Sequence, residues 1–211
     1  MKIAVNQGGN SNVSCFISDH ESKVKITYCG LKGADQIDLH AERGRIKCFV
    51  DICKPDSTSV FDENYSNIVE TAVTSSIILE KLPKMQIMIE IKIMQNGQHS
   101  LGYAITGTSI VLSISGIDMY DMVLAYSENN DNNMEPNLVS IMPMMNHTSI
   151  TNIVGRYSEL LYIQKYQDML NKAKSLYPHV YKSIVDCIKN LYSTQLYYKR
   201  VMSHDSCVSV S

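Results

Sequence analysis

The stretch Pro83-Lys84-Met85-Gln86-Ile87-Met88-Ile89-Glu90-Ile91-Lys92-Ile93-Met94-Gln95-Asn96-Gly97 decides the fold. Ile87, Ile89, Ile91 and Ile93 alternate with Met88, Glu90, Lys92 and Met94. Successive side chains of a strand point to opposite faces, so this period of two predicts a strand with one apolar face. Asn96-Gly97 is a turn signal that ends it. Upstream, Asp62 to Asn64 offers helix-capping residues and an acidic first turn. Ile68, Val69, Ala72, Val73, Ser76 and Ile77 follow at helical spacing, and Pro83 is expected to stop that helix. Downstream, Ala104 to Ser115 is small and apolar on most sides. That is the pattern of a helix buried between neighbours, and Gly116 is placed to end it.

Towards the N-terminus, Val13 to Ser18 reads as a short apolar strand. Val24, Ile26 and Tyr28 alternate with Lys23, Lys25 and Thr27; Ile46, Cys48, Val50 and Ile52 alternate with Arg45, Lys47, Phe49 and Asp51. Both patterns predict half-buried strands. Gly30 to Arg43, polar and broken by Gly30 and Gly33, reads as a loop. Towards the C-terminus, Met122 to Tyr126, Leu138 to Met142 and Ser149 to Val154 read as strands. Glu128 to Pro136 is a polar loop, and a turn is expected at Asn146-His147. Tyr166, Met169, Leu170, Ala173, Tyr177, Val180, Ile184, Cys187, Ile188 and Leu191 keep helical spacing. Pro178 interrupts them at a cost of about 3 kcal/mol in a helix interior, so a kink or a second helix starting there is expected. The order of elements predicts one α/β (α+β) domain of mixed sheets with packed helices and a long C-terminal helix. It spans residues 1–200, with a polar tail over 201–211.

The chain has 211 residues, enough for one core, and 45 % of them are hydrophobic. Its formal net charge of −2 excludes a strongly basic nucleic-acid clamp, so any phosphate contact must come from a local patch. No apolar run approaches the roughly 18–20 residues that cross a bilayer, and Met1 to Gly9 holds no signal-peptide core, so no membrane partner is expected. Cys15, Cys29, Cys48, Cys53, Cys187 and Cys207 form no C-x-x-C pair and read as reduced thiols, with a zinc site the lesser alternative.

No phosphate loop, dinucleotide fingerprint, nucleophile elbow or H-E-x-x-H helix is present. His20, His40, His99, His147, His179 and His204 are scattered singly. Asp118 and Asp121 are a candidate carboxylate pair for a metal, and loop-capping residues on the plainer reading. The basic cluster is Arg43-Gly44-Arg45-Ile46-Lys47. On strands, Arg45 and Lys47 share a face, as do Lys23 and Lys25. In one sheet these four cations would line one surface, either for phosphates or as a solvated or subunit-facing sheet.

Four segments carry a resemblance to a known family. They are Gln7 to Cys15 (Gln-Gly-Gly-Asn-Ser-Asn-Val-Ser-Cys), Asp38 to Asp51, the strand segment Pro83 to Gly97, and Asn137 to Pro143 with Asn152-Ile153-Val154-Gly155. In order and spacing the chain resembles the ribonuclease PH family, and within it the ring subunits of the RNA exosome, nearest the archaeal catalytic type. Members usually open with an R-x-D-G-R segment, which has no counterpart before Gln7. Active members carry a phosphate-binding arginine after the turn that ends the strand, where this chain has Leu101 preceded by Ser100. Their aspartates before the late strand pair correspond to the Asn-rich region ending at Glu135-Pro136, and their arginines near the first helix are unmatched around Asp62 to Glu70.

Phosphorolysis brings two anions together, so cations must offset their repulsion. The resemblance therefore implies a structural subunit of a hexameric ring without a catalytic site of its own, with no cofactor and no metal. Implied partners are other ribonuclease-PH-like subunits, RNA-binding cap subunits, a hydrolytic nuclease and single-stranded RNA. The implied role is 3'-to-5' RNA processing in the nucleus (nucleolus) and cytoplasm. Lys32, Arg43, Arg45 and Lys47 are the candidate RNA-binding residues. Two alternatives stand beside this one. The first is an active phosphate-dependent exoribonuclease through a site completed by a partner; the second is a stand-alone α/β protein.

Overall fold

A computed structural model describes residues 1–7, 13–33, 42–54, 58–128 and 136–205. The strand that decides the fold, β6 (Met85–Gln95), lies inside a six-stranded sheet, with β3 (Lys23–Gly33) antiparallel on one side and β4 (Arg45–Cys53) parallel on the other. The sheet order is β1-β2-β3-β6-β4-β5, with β1 (Lys2–Gln7), β2 (Val13–Ser18) and β5 (Ser59–Phe61) completing it. Ile87, Ile89, Ile91 and Ile93 are fully buried. Helices α1 (Glu63–Thr74) and α2 (Ser100–Ile114) pack on this sheet. A second sheet of β7 (Leu124–Glu128), β8 (Asn137–Met142) and β9 (His147–Asn152) covers α2 from the far side. Helix α3 (Glu159–Ser175) packs on β7 and β8, and α4 (Tyr177–Asp205) runs past β1 and α2.

Between the two sheets α2 is buried from Ser100 to Leu112. Its small residues set the spacing. A Cβ on Gly102 would sit 2.9 Å from the Ser127 amide nitrogen and 3.0 Å from the Ala125 carbonyl, and one on Gly107 would strike Ile26 in the large sheet. The helix thus touches a backbone on one side and isoleucine tips on the other, which larger residues would prevent.

Both helices also close the open edge of a neighbouring strand. β5 pairs with β4 only along Asp51, Ile52 and Cys53. Before that, Glu70 Oε1 accepts from the Cys48 amide at 2.8 Å, and Ser66 Oγ accepts from the Val50 amide at 3.1 Å. On α2, Ser109 Oγ accepts from the Val123 amide at 2.8 Å and Thr106 Oγ1 from the Ala125 amide at 3.0 Å. Residues three or four apart on a helix advance about 4.5–6 Å, and residues two apart on a strand about 6.6 Å, so the two repeats meet. The strand amides are satisfied without another strand.

Several boundaries differ from the sequence reading. The segment from Gly30 is not a loop at its start. Cys29 bulges out of register, Gly30 takes φ +102°, and β3 then pairs on with β6 as far as Gly33. Residues 34–41 lie outside the described part. Lys2–Gln7 is a strand, because Ile3 and Val5 alternate with polar or small neighbours and pack on the core. Asp62 does cap α1, accepting from the Tyr65 amide, but the helix ends at Thr74 well before Pro83. The Ser76 hydroxyl there donates to the Val73 carbonyl at 2.7 Å, and Ile77 forms a bridge with Met119. α2 starts at Ser100 rather than Ala104; β7 and β9 are displaced by two residues from the expected spans. α3 gives way to α4 at Tyr177, next to Pro178, so the second-helix reading holds. α4 continues through Met202 to Asp205.

Candidate nucleic-acid interface and the turn before the second helix

The face of the large sheet away from α1 and α2 carries the basic residues. Lys32 on β3 and Arg45 on β4 are both register partners of Gln86, so they flank β6 in one row, about 9–10 Å apart across two strand spacings. Gly30 and Lys47 flank Met88 in the next row. Lys23 and Lys25 lie further along the same face of β3. The four cations Lys23, Lys25, Arg45 and Lys47 do therefore share one sheet surface, on either side of β6. Arg43 precedes β4 and is paired instead with Glu80 at 2.7 Å, in a single helical turn over Leu79–Lys81. Lys47 is paired with Glu70 at 3.2 Å, and Lys92 with Glu90 at 3.0 Å.

A second cluster surrounds the turn between β6 and α2, which the sequence marked only by Asn96-Gly97 and Ser100. Ser100 Oγ accepts from the Gly97 amide at 2.8 Å and lies 3.2 Å from the Gln95 carbonyl, so the hydroxyl serves its own turn. Leu101 is only 3 % exposed and belongs to the hydrophobic core. His99 Nδ1 lies 2.7 Å from the Ser127 carbonyl, a contact that places a proton on Nδ1. The imidazole packs between Tyr126 and Tyr103, at ring-centre distances of 5.1 and 5.8 Å. Tyr103 donates its hydroxyl to Asp19 at 2.7 Å. Burial works against the Asp19 carboxylate, but the Tyr103 hydroxyl and the Glu21 and Ser22 amides outweigh it and hold the carboxyl below its ordinary range. Burial and the same hydrogen bond push the Tyr103 phenol up.

Beyond Tyr126 the charges belong to α3. Lys172 lies over the Tyr126 ring at 4.9 Å and near Glu128 at 3.8 Å. Lys165 pairs with Glu128 at 3.2 Å and donates to the Tyr157 hydroxyl at 2.9 Å. Glu128 is thus held between two lysines beside an open cleft of about 290 Å³ lined in part by Leu161, Gln164 and Asp168. Sequence reasoning missed this cluster, because its members come from β2–β3, α2, β7 and α3, and only the fold brings them together.

Asp118 and Asp121 are employed separately. Asp118 pairs with Lys81 at 2.9 Å, whereas Asp121 accepts from the Met122, Met144 and Met145 amides. Both act as loop-fixing residues. Among the described residues no group of three histidine, cysteine, aspartate or glutamate side chains converges on a point. Cys15, Cys29, Cys48, Cys53 and Cys187 are free thiols. Burial pushes the Cys15 thiol up to about 12 and raises Cys48 as well. Glu135 and Cys207 lie outside the described residues.

Comparison with known proteins gives one consistent picture. No family model matches the chain. Over 118 residues, 54 % of its length, it is 24 % identical to an Arabidopsis thaliana protein described as exosome complex component RRP41-like. The matched stretch spans 46 % of that relative, so the chain covers about half the relative's length. The fold matches Rrp46 from rice (Oryza sativa) with a TM-score of 0.67 at 14 % identity, covering 87 % of this chain and 94 % of that one. It matches an archaeal exosome core with a TM-score of 0.64 at 13 % identity, over 85 % of each chain. An Archaeoglobus fulgidus exosome with RNA bound to the active site gives 0.67 at 12 % identity, covering 84 % of this chain and 87 % of that one.

Proposed function

The chain has the ribonuclease PH fold of exosome ring subunits, and on that premise we propose that it is a structural, non-catalytic subunit of an exosome-like ring. The observation that carries this reading is the burial of Leu101. The resemblance puts a phosphate-binding arginine there, and this chain puts a leucine that is 3 % exposed and packed into the core. Holding inorganic phosphate beside a phosphodiester needs cations that offset two negative charges. The neighbouring Ser100 hydroxyl is occupied within its own turn, and Lys165 is already paired with Glu128. In this reading the subunit holds its place among ribonuclease-PH-like neighbours beneath RNA-binding cap subunits. It guides single-stranded RNA to a hydrolytic nuclease, with Lys32, Arg43, Arg45 and Lys47 as RNA contacts. It serves 3'-to-5' processing, including that of ribosomal RNA, and messenger RNA turnover, in the nucleus, nucleolus and cytoplasm.

The test has two arms. Gentle purification from the native source is expected to bring other ribonuclease-PH-like chains and a nuclease; recovery of the chain alone overturns the ring assignment. The recovered assembly is then given RNA and inorganic phosphate. Release of nucleoside diphosphates that depends on this chain would replace the non-catalytic reading with a site completed by a partner.

A further inference from the structure

The chain contains three phenylalanines, Phe16, Phe49 and Phe61. None belongs to the core, which is built largely from isoleucine, valine and leucine. The strand register places all three on the open face of the large sheet. One row crosses all six strands: Ala4, Phe16, Lys25, Lys92, Asp51 and Phe61. Phe49 stands in the adjacent row opposite Glu90, and its ring centre is 6.3 Å from that of Phe61. Phe49 is 37 % and Phe61 50 % exposed. Leaving large apolar rings in water is unfavourable, and an aromatic patch within a charged surface marks an interaction site.

The charge of that face selects the partner. Lys23, Lys25, Lys32, Arg45, Lys47 and Lys92 share it with the carboxylates Asp51 and Glu90, in a chain of formal net charge −2. Lys23, Lys25 and Lys32 have no carboxylate partner among the described residues. Polyanions are held by such cations, and exposed rings beside them stack unpaired bases. A duplex buries its base faces and cannot use the rings. Phe16 and Phe61 are four strand spacings apart, about 19 Å, with Lys25 and Lys92 between them.

We propose that the open face of the six-stranded sheet is a platform for single-stranded RNA, on which Phe49, Phe61 and Phe16 stack bases while Lys23, Lys25 and Lys32 hold phosphates. The choice of RNA over DNA rests on the ring-subunit reading; the single-stranded platform itself rests on the sheet.

The experiment measures binding of a short fluorescein-labelled oligouridine to the full chain across a salt series. Phe49→Ala with Phe61→Ala is expected to weaken binding about tenfold or more for each ring lost. The salt slope should stay unchanged, and Phe49→Tyr with Phe61→Tyr should restore affinity. Lys25→Gln with Lys32→Gln is expected to lower the salt slope by about 0.7 for each contact removed. Urea midpoints establish that each variant is folded. Equal affinity of the native chain and the alanine variant overturns the platform. So does an alanine variant that keeps RNA affinity but no longer assembles with ribonuclease-PH-like chains, which would make the face a protein interface. If the native chain fails to assemble with such chains while the phenylalanine dependence of RNA binding persists, the ring reading falls and the platform stands.

Discussion

The Thr106 hydroxyl accepts the Ala125 amide at 3.0 Å, joining the most deeply buried helix to the open edge of the smaller sheet. Replacing the hydroxyl by a methyl group keeps the shape and leaves a buried amide without an acceptor. Thr106→Val is therefore expected to lower stability by about 1–3 kcal/mol. Urea unfolding should show a lower midpoint at an unchanged slope, and Thr106→Ser should recover most of the loss.

The same device at β4 separates a hydrogen bond from an ion pair. Glu70 takes both the Cys48 amide and the Lys47 ammonium through one oxygen. Glu70→Gln keeps a neutral acceptor and loses a half-exposed ion pair, so a change of about 1 kcal/mol or less is expected. Glu70→Ala leaves the amide unsatisfied and should cost about 1–3 kcal/mol. Equal losses from the two variants would show that the ion pair, not the edge bond, matters.

Gly102→Ala tests the close approach of α2 to β7. Alanine improves helix propensity by about 1 kcal/mol over glycine. The new methyl would meet the Ser127 nitrogen at 2.9 Å and the Ala125 carbonyl at 3.0 Å, and backbone cannot rotate aside. A net loss of about 1–3 kcal/mol is expected, as overpacking usually costs. A variant with a raised melting temperature would refute the stated contact.

Acid sensitivity follows from Asp19. Its carboxyl is held below the ordinary value of 3.8 in the folded chain, because hydrogen bonds from Tyr103 and two amides outweigh the penalty of burial. A depressed folded value gives stability that is full above the unfolded value and is lost as pH falls through the folded one. The stability gap between the native chain and Asp19→Asn should therefore be constant near neutrality and close below about pH 4. In Tyr103→Phe, an NMR titration should find the Asp19 midpoint moved upward.

The elements visible in the sequence were those whose pattern is local. The isoleucines at 87, 89, 91 and 93, the Asp62 cap and the break at Pro178 each act within a few residues, and the structure keeps all three. The faces of β3 and β4 were legible for the same reason, so Arg45, Lys47, Lys23 and Lys25 could be assigned to one surface once a common sheet was assumed. What could not be read was anything set by pairing between distant segments. Gly30 to Gly33 looks like a loop until β6 supplies its partners. The Asp19–Tyr103 contact joins residues 84 positions apart, and nothing near either one announces it. Arg43 looked equivalent to Arg45, yet it turns to Glu80 in a segment that carries no regular pattern.

The central place of β6 has a consequence for the chain as it is made. β3 and β4 cannot pair with each other, because β6 lies between them and follows β4 by about 40 residues. While a ribosome adds those residues, at about 5–20 per second, the apolar sides of β3 and β4 wait some seconds without the strand that joins them. The edges of β3 and β4 that pair with β6 in the finished molecule stay open to chaperones and to neighbouring nascent chains until Gln95 has emerged.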